Sequence, residues 1–273
     1  MDKIISIDLK ADFGFLKKPD TNDPIYLTFN MLHKPALLGI LGAILGLRGF
    51  SEATKKEKGD KKKVDNTGIN KEAYLPDYYR KLKDLKIGIK PLNDESGNFE
   101  KTIIKYNNAV GYANLDGGNL IIIEQTLISP SYRCYIHVSN ENDIQNRLYD
   151  YLKTFRAEYL PYLGKNDFSL WWENFQEYEF VSLNILENNF KLSSIFIKED
   201  AIKNARIKEP AFKPFMTSSS GKFIYFENLP TAYDVNLMQY EYQSFTYTDW
   251  ELKQSFKLNN LYQLNNNEII QLF

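Results

Sequence analysis

Apolar and β-branched residues alternate with polar ones through "KIISIDLKADF", a period-two pattern that predicts a strand over about residues 3–10. A loop carrying Pro19 and Pro24 follows, then a short extended piece, "IYLTF". The alternation stops at "LHKPALLGILGAILGL", residues 32–47, which has no polar side chain from Ala36 to Leu47. A membrane-spanning helix needs about 20 apolar residues, and this run of 12 ends at Arg48, so the pattern predicts a buried helix. Gly39, Gly42 and Gly46 lie three and four apart, share one helical face, and predict close packing on a sheet.

Residues 51–80 carry a lysine run and few apolar positions, the pattern of an exposed insertion outside the core. Three runs then read as strands: "KTIIKYNNAVGYA", "NLIIIEQTL" and "YRCYIHV". Asp116, Gly117 and Gly118 suit a tight hairpin turn between the first two. Apolar residues at 144, 148, 152 and 155 predict a second helix, stopped by Pro161. Strand, helix, antiparallel strands and helix together predict an α+β protein with a ferredoxin-like βαββαβ (RRM-type) domain over residues 1–170. Shorter strand-like pieces, "EFVSLNIL", "KFIYFENL" and "YEYQSFTYTDW", predict a smaller β-rich portion over 171–273.

Net charge is −1 over 273 residues, but residues 1–105 hold 20 Lys and Arg against 15 Asp and Glu (+5), and the remainder 14 against 20 (−6). Such a division suits one face for a polyanion and another for protein partners, although one lysine-rich loop explains it equally well. The single Cys134 excludes an internal disulfide and any four-cysteine metal site. The first 31 residues mix charges throughout, so a cytoplasmic protein is expected.

Nucleotide-binding loops need glycines between strand and helix, with Lys and Ser or Thr after them, and neither G-x-x-x-x-G-K-[ST] nor G-x-G-x-x-G occurs. With only His33 and His137, no H-E-x-x-H forms, no metal or cofactor is expected, and no G-x-S-x-G marks a nucleophile. The helix entrance is more informative. Pro35 suits a first helical turn, and His33 and Lys34 beside it meet free N–H groups at the positive end of the helix dipole, a generic anion site. A merely solvated Lys34 fits as well. Metal-free RNA cleavage needs only a base, an acid and a cation, so His33 with Lys34, or His137 with nearby tyrosines, keeps an endoribonuclease open.

In "YRCYIHV", alternation puts Tyr132, Cys134, Ile136 and Val138 on a core face and Arg133, Tyr135 and His137 on the other. A cation between stacking rings is a surface on which single-stranded RNA bases lie. An exposed polar sheet face explains the same pattern without RNA.

The stretches "IISIDLKADFGFLKKPD", "YLTFNMLHKPALLGILGAILGLRGF", "YNNAVGYAN", "YRCYIHV" and "LPYLGKNDF" together resemble the Cas five family of CRISPR-associated proteins in its type I-B form. The resemblance covers residues 1–170 and is most specific at "ALLGILGAILGL" and "LGKN". It implies a ferredoxin-like domain with a thumb insertion, here about 51–100, that caps the 5′ handle of the crRNA within a Cascade ribonucleoprotein. The large subunit and a backbone subunit would be its partners, with target DNA reached only through guide pairing and no membrane involved. Lys34, His33 and Arg48 would contact handle phosphates, Arg133, Tyr135 and His137 would face bases, and Lys165 and Asn166 lie in the "LGKN" loop. One branch of the family cleaves the guide precursor; its catalytic set has no convincing match here, so a non-enzymatic subunit is expected. A protein-binding scaffold without RNA contact is the third reading.

Overall fold

The computed structural model describes residues 2–19, 24–49, 75–107, 121–183, 188–198, 221–253 and 258–273. Strand β1 (Lys3–Ala11) is the alternating segment the sequence predicts. Two short strands, β2 (Phe13–Gly14) and β3 (Leu16–Lys17), precede β4 (Thr28–Phe29), which pairs with β3. Helix α1 (Lys34–Ile44) is the apolar run, and α2 (Asp77–Leu82) leads into β5 (Ile87–Leu92). Strands β6 (Lys101–Asn107) and β7 (Ile121–Ile128) pair antiparallel, and β8 (Ser131–Val138) is followed by α3 (Asp143–Lys153) and β9 (Leu170–Tyr178).

The central sheet has the order β5-β8-β1-β9 with every neighbouring pair antiparallel. Its connectivity is β1-α1-β5, then β8-α3-β9, so each helix is the crossover between two parallel strands. Ile5, Ile7 and Leu9 of β1 form one apolar cluster with Leu37 and Leu41 of α1 and Leu148 and Leu152 of α3. Each such side chain contributes roughly 1.5–3 kcal/mol on burial, which fixes both helices on one face.

The rest of the chain adds β10 (Phe180–Leu183), β11 (Phe196–Ile197), β12 (Ile224–Asp234), β13 (Gln239–Thr248), β14 (Leu261–Leu264) and β15 (Ile269–Gln271). Strands β10, β14 and β15 form one three-stranded sheet and β11, β13 and β12 another. Ile4, Tyr135 and Tyr178 of the central sheet form a second cluster with Tyr262, Leu264, Ile270 and Leu272. The β14–β15 hairpin therefore covers the face opposite the helices. Among the described residues no helix is long and apolar enough to cross a membrane.

Several expectations change. The hairpin β6–β7 exists, but it joins β2 in a separate sheet, and its turn at Asp116, Gly117 and Gly118 lies outside the described residues. In the central sheet β8 lies between β1 and β5, and β5, "IGIKPL", falls inside the stretch 51–100 assigned to a thumb insertion. Gly88 and Pro91 break its strand pattern; an edge strand tolerates Pro because one side of it needs no ladder N–H. Leu75, Tyr79 and Leu82 are buried in the main core, so the exposed segment read over 51–80 ends earlier. The boundary at 170 falls at the start of β9, which belongs to the first sheet. Helix α3 stops at Lys153; Phe155 takes φ 54° and is 58% exposed, so it marks the turn after the helix, not its last apolar position.

Candidate nucleic-acid interface

His33 caps α1. Its backbone is extended, and its Nδ1 accepts a hydrogen bond from the Ala36 N–H at 3.3 Å, satisfying one of the four N–H groups a helix start leaves unpaired. At the other end Gly46 takes φ +68°, and the N–H groups of Gly46 and Leu47 return to the carbonyls of Ala43 (3.1 Å) and Gly42 (2.8 Å). This is the Schellman termination, whose left-handed residue is usually glycine. The N–H groups of Glu158 and Tyr159 then reach the carbonyls of Ile44 (3.0 Å) and Ala43 (3.2 Å), docking the segment after α3 on the helix end. The other glycines have different reasons. A Cβ on Gly42 would lie 2.4 Å from the Tyr78 Cβ of α2, so helix packs on helix there, not on a sheet; Gly39 meets nothing nearer than 4.0 Å.

An open cleft of about 800 Å³ runs along this helix. Its α1 side is Pro35, Ala36, Gly39, Ile40 and Ala43, of which Ala36, Gly39 and Ala43 are small. Tyr78, Tyr159, Tyr162 and Tyr240 stand around it, Lys17 and Arg48 supply positive charge, and Lys165 is paired with Glu124, which lines the cleft too. Helix α1 is about 16 Å long at 1.5 Å per residue, so the ends of the cleft are well separated. Tyr159 and Tyr162 are 59% and 43% exposed, which leaves ring surface for stacking.

Lys165 is held in place from several sides. Its Nζ lies 2.6 Å from Glu124 Oε2 and 3.2 Å from the Tyr106 hydroxyl, and 4.5 Å from the centre of the Tyr106 ring. Burial opposes its charge, but the bonds to Glu124 and Tyr106 outweigh it and raise its pKa. The turn that presents Lys165 depends on Gly164, which takes φ +88° and would place a Cβ 1.8 Å from the Phe15 carbonyl oxygen. Phe15 N–H in turn donates to the Leu163 carbonyl at 3.1 Å.

Of the residues expected from the sequence, His33, Arg48 and Lys165 line this cleft, and Asn166 is exposed beside Lys165. His33 is not a cation: it is 7% exposed and burial pushes its pKa down to about 3. Lys34, expected at a phosphate beside the helix start, does not line the cleft; its Nζ donates to the Phe273 main-chain oxygen at 3.2 Å, and burial lowers its pKa against the opposing pull of Asp84. The base-facing surface on β8 is also corrected. Arg133 makes two bonds to Asp8, at 2.7 and 2.9 Å, and Asn174 adds a third at 2.9 Å. Burial works against the Asp8 carboxylate, yet those bonds hold its pKa below the ordinary range. Tyr135 is 0% exposed and donates to Glu268 at 3.0 Å. His137 packs edge-on to Phe180 at 5.5 Å and beside Tyr262, and burial lowers its pKa. Alternation assigned these three to one face correctly; the β14–β15 hairpin and β10 cover Tyr135 and His137 on that face, and periodicity in β8 has no means of revealing it.

Lys17, Tyr78, Tyr159, Tyr162 and Tyr240 were missed. They come from four separate places in the chain, so no spacing joins them all, although "FLKKPD" and "LPYLGKNDF" each contain one. Among the described residues no group of three His, Cys, Asp or Glu is placed to hold a metal.

No protein-family model and no curated protein matches the sequence. Among solved structures, the chain is similar to one in a CRISPR RNA-guided surveillance complex, with 11% identity, 92% of each chain covered and a TM-score of 0.43. It is similar to a CRISPR protein from Archaeoglobus fulgidus, with 12% identity, 98% and 97% covered and a TM-score of 0.43. A chain of the type III-B Cmr-beta complex bound to cognate target RNA and AMPPnP gives 10% identity, 92% and 86% covered and a TM-score of 0.45. All three TM-scores lie below 0.5.

Proposed function

We propose that the chain is a non-catalytic RNA-binding subunit of a type I-B CRISPR Cascade, of the Cas five family, that holds the 5′ handle of the crRNA in the cleft along α1. The observation that carries this reading is the convergence of Lys17, Arg48 and Lys165 with exposed tyrosine rings on one cleft, floored by the helix of the family-like motif. Cations that track a backbone, beside rings on which bases stack, are what single-stranded nucleic acid requires. The β1-α1-β5, β8-α3-β9 connectivity supports a ferredoxin-like domain, with the thumb insertion between α1 and β5. In this reading the large subunit and a backbone subunit cover other surfaces, target DNA is reached through guide pairing, and the assembly is cytoplasmic.

The test is fluorescence anisotropy of the purified full chain with labelled single-stranded RNA in EDTA, over a range of salt. Wild type binds and leaves the RNA intact, and Lys17→Gln and Arg48→Gln each weaken binding and lower the salt slope by about 0.7. RNA bound neither by the chain nor by the co-expressed complex would favour the protein-binding scaffold. Cleavage in EDTA that is lost in His33→Ala would establish the endoribonuclease instead.

A further inference from the structure

We infer that His33 is a neutral hydrogen-bond donor to the bound RNA, giving its Nε2–H to an acceptor on a nucleobase that lies on the α1 floor. The inference rests on the RNA-binding reading above and adds to it how one end of the cleft recognises its ligand. The cap defines the tautomer: Nδ1 accepts from the Ala36 N–H, so in the neutral ring the proton is on Nε2. The ring is 7% exposed, held edge-on to Phe29 at 5.2 Å and near Tyr240 at 6.4 Å, and it makes no second hydrogen bond among the described residues. It lines the cleft, and its Nε2 is not among the sealed, unpartnered side-chain atoms of the described residues, which are those of Thr126, Ser131 and Thr246, so its N–H stays open to a ligand. Burial also keeps the ring uncharged, with a pKa near 3. Beside it the floor is Pro35, Ala36, Gly39 and Ile40, all apolar. That surface accepts a planar base and offers nothing to a phosphate, whose oxygens call for charged or multiple donors.

His33→Asn separates this role from the structural one, because Asn is as good a helix cap but does not reproduce the ring N–H on the far side; His33→Ser serves as a second capping variant. The probe is an eight-nucleotide single-stranded RNA of random sequence, measured by anisotropy against the full chain at several salt concentrations. Both variants keep the wild-type far-ultraviolet circular dichroism, with a Tm lowered by the lost ring packing on Phe29, and both bind about three- to tenfold more weakly. Their salt slope stays that of wild type, because a neutral donor releases no counterion. Unchanged affinity in both variants would overturn the inference, as would a slope lowered by about 0.7, which would mark a phosphate contact. A wild-type chain that binds no RNA would remove the reading beneath it, a result distinct from either.

Discussion

His33 occupies the position where a charged ring would gain least from α1, since the positive end of the helix dipole and burial both oppose a second positive charge. Its pKa is about 3 in the folded protein against 6.5 for an exposed histidine. Between those two values the unfolded chain binds one more proton than the folded one, so this ring destabilises the fold as pH falls and costs nothing above about 6.5. The slope is about 1.4 kcal/mol per pH unit while the difference is complete. Urea unfolding at pH 4.5 and at pH 7 is expected to show a smaller loss for His33→Asn than for wild type. An equal loss in both would mean that the ring titrates normally. The sequence places His33 at the helix entrance correctly and gives no sign that its ring is buried, because Tyr240, one of the rings beside it, is distant in the chain. Lys34 fails for the same kind of reason: its partner is Phe273, at the far end of the sequence.

Elements whose signal is local were legible. β1, α1, α3 and the β6–β7 pair follow from periods of two and of about 3.6, and the "LGKN" turn stands where the motif suggested. The strand β5 was not, because an edge strand with Gly88 and Pro91 lacks the alternation that marks its neighbours. Gly164 shows what a short element contributes to the site. With φ +88° and the Phe15 backbone against its Cα, Gly164→Ala must shift either the "LGKN" turn or the β2–β3 segment. A left-handed alanine alone costs about 1–2 kcal/mol, so the loss of stability is expected to exceed about 2 kcal/mol by denaturant unfolding, with weaker RNA binding as Lys165 loses its position. Wild-type stability in Gly164→Ala would show that the turn adapts freely.

On the scale of the whole molecule, one sheet is covered by helices on one face and by the C-terminal hairpin on the other, and this decides which of two candidate surfaces stays open. On the β8 face, Tyr135 and His137 are packed under β10, β14 and β15, and Arg133 is taken up by Asp8. The cleft along α1 is open, and its lining is assembled from the first fifty residues, α2, β7, the segment after α3, and β13. Such an assembly is invisible to motif and spacing, which is why five of its side chains went unread while three of the expected ones were found there. Ultraviolet crosslinking of single-stranded RNA to the full chain, followed by mass-spectrometric mapping of the modified peptides, tests the choice most directly. Crosslinks on Tyr159, Tyr162, Tyr240 and the Lys165 turn are the predicted result; crosslinks confined to β8 and the C-terminal hairpin would contradict it.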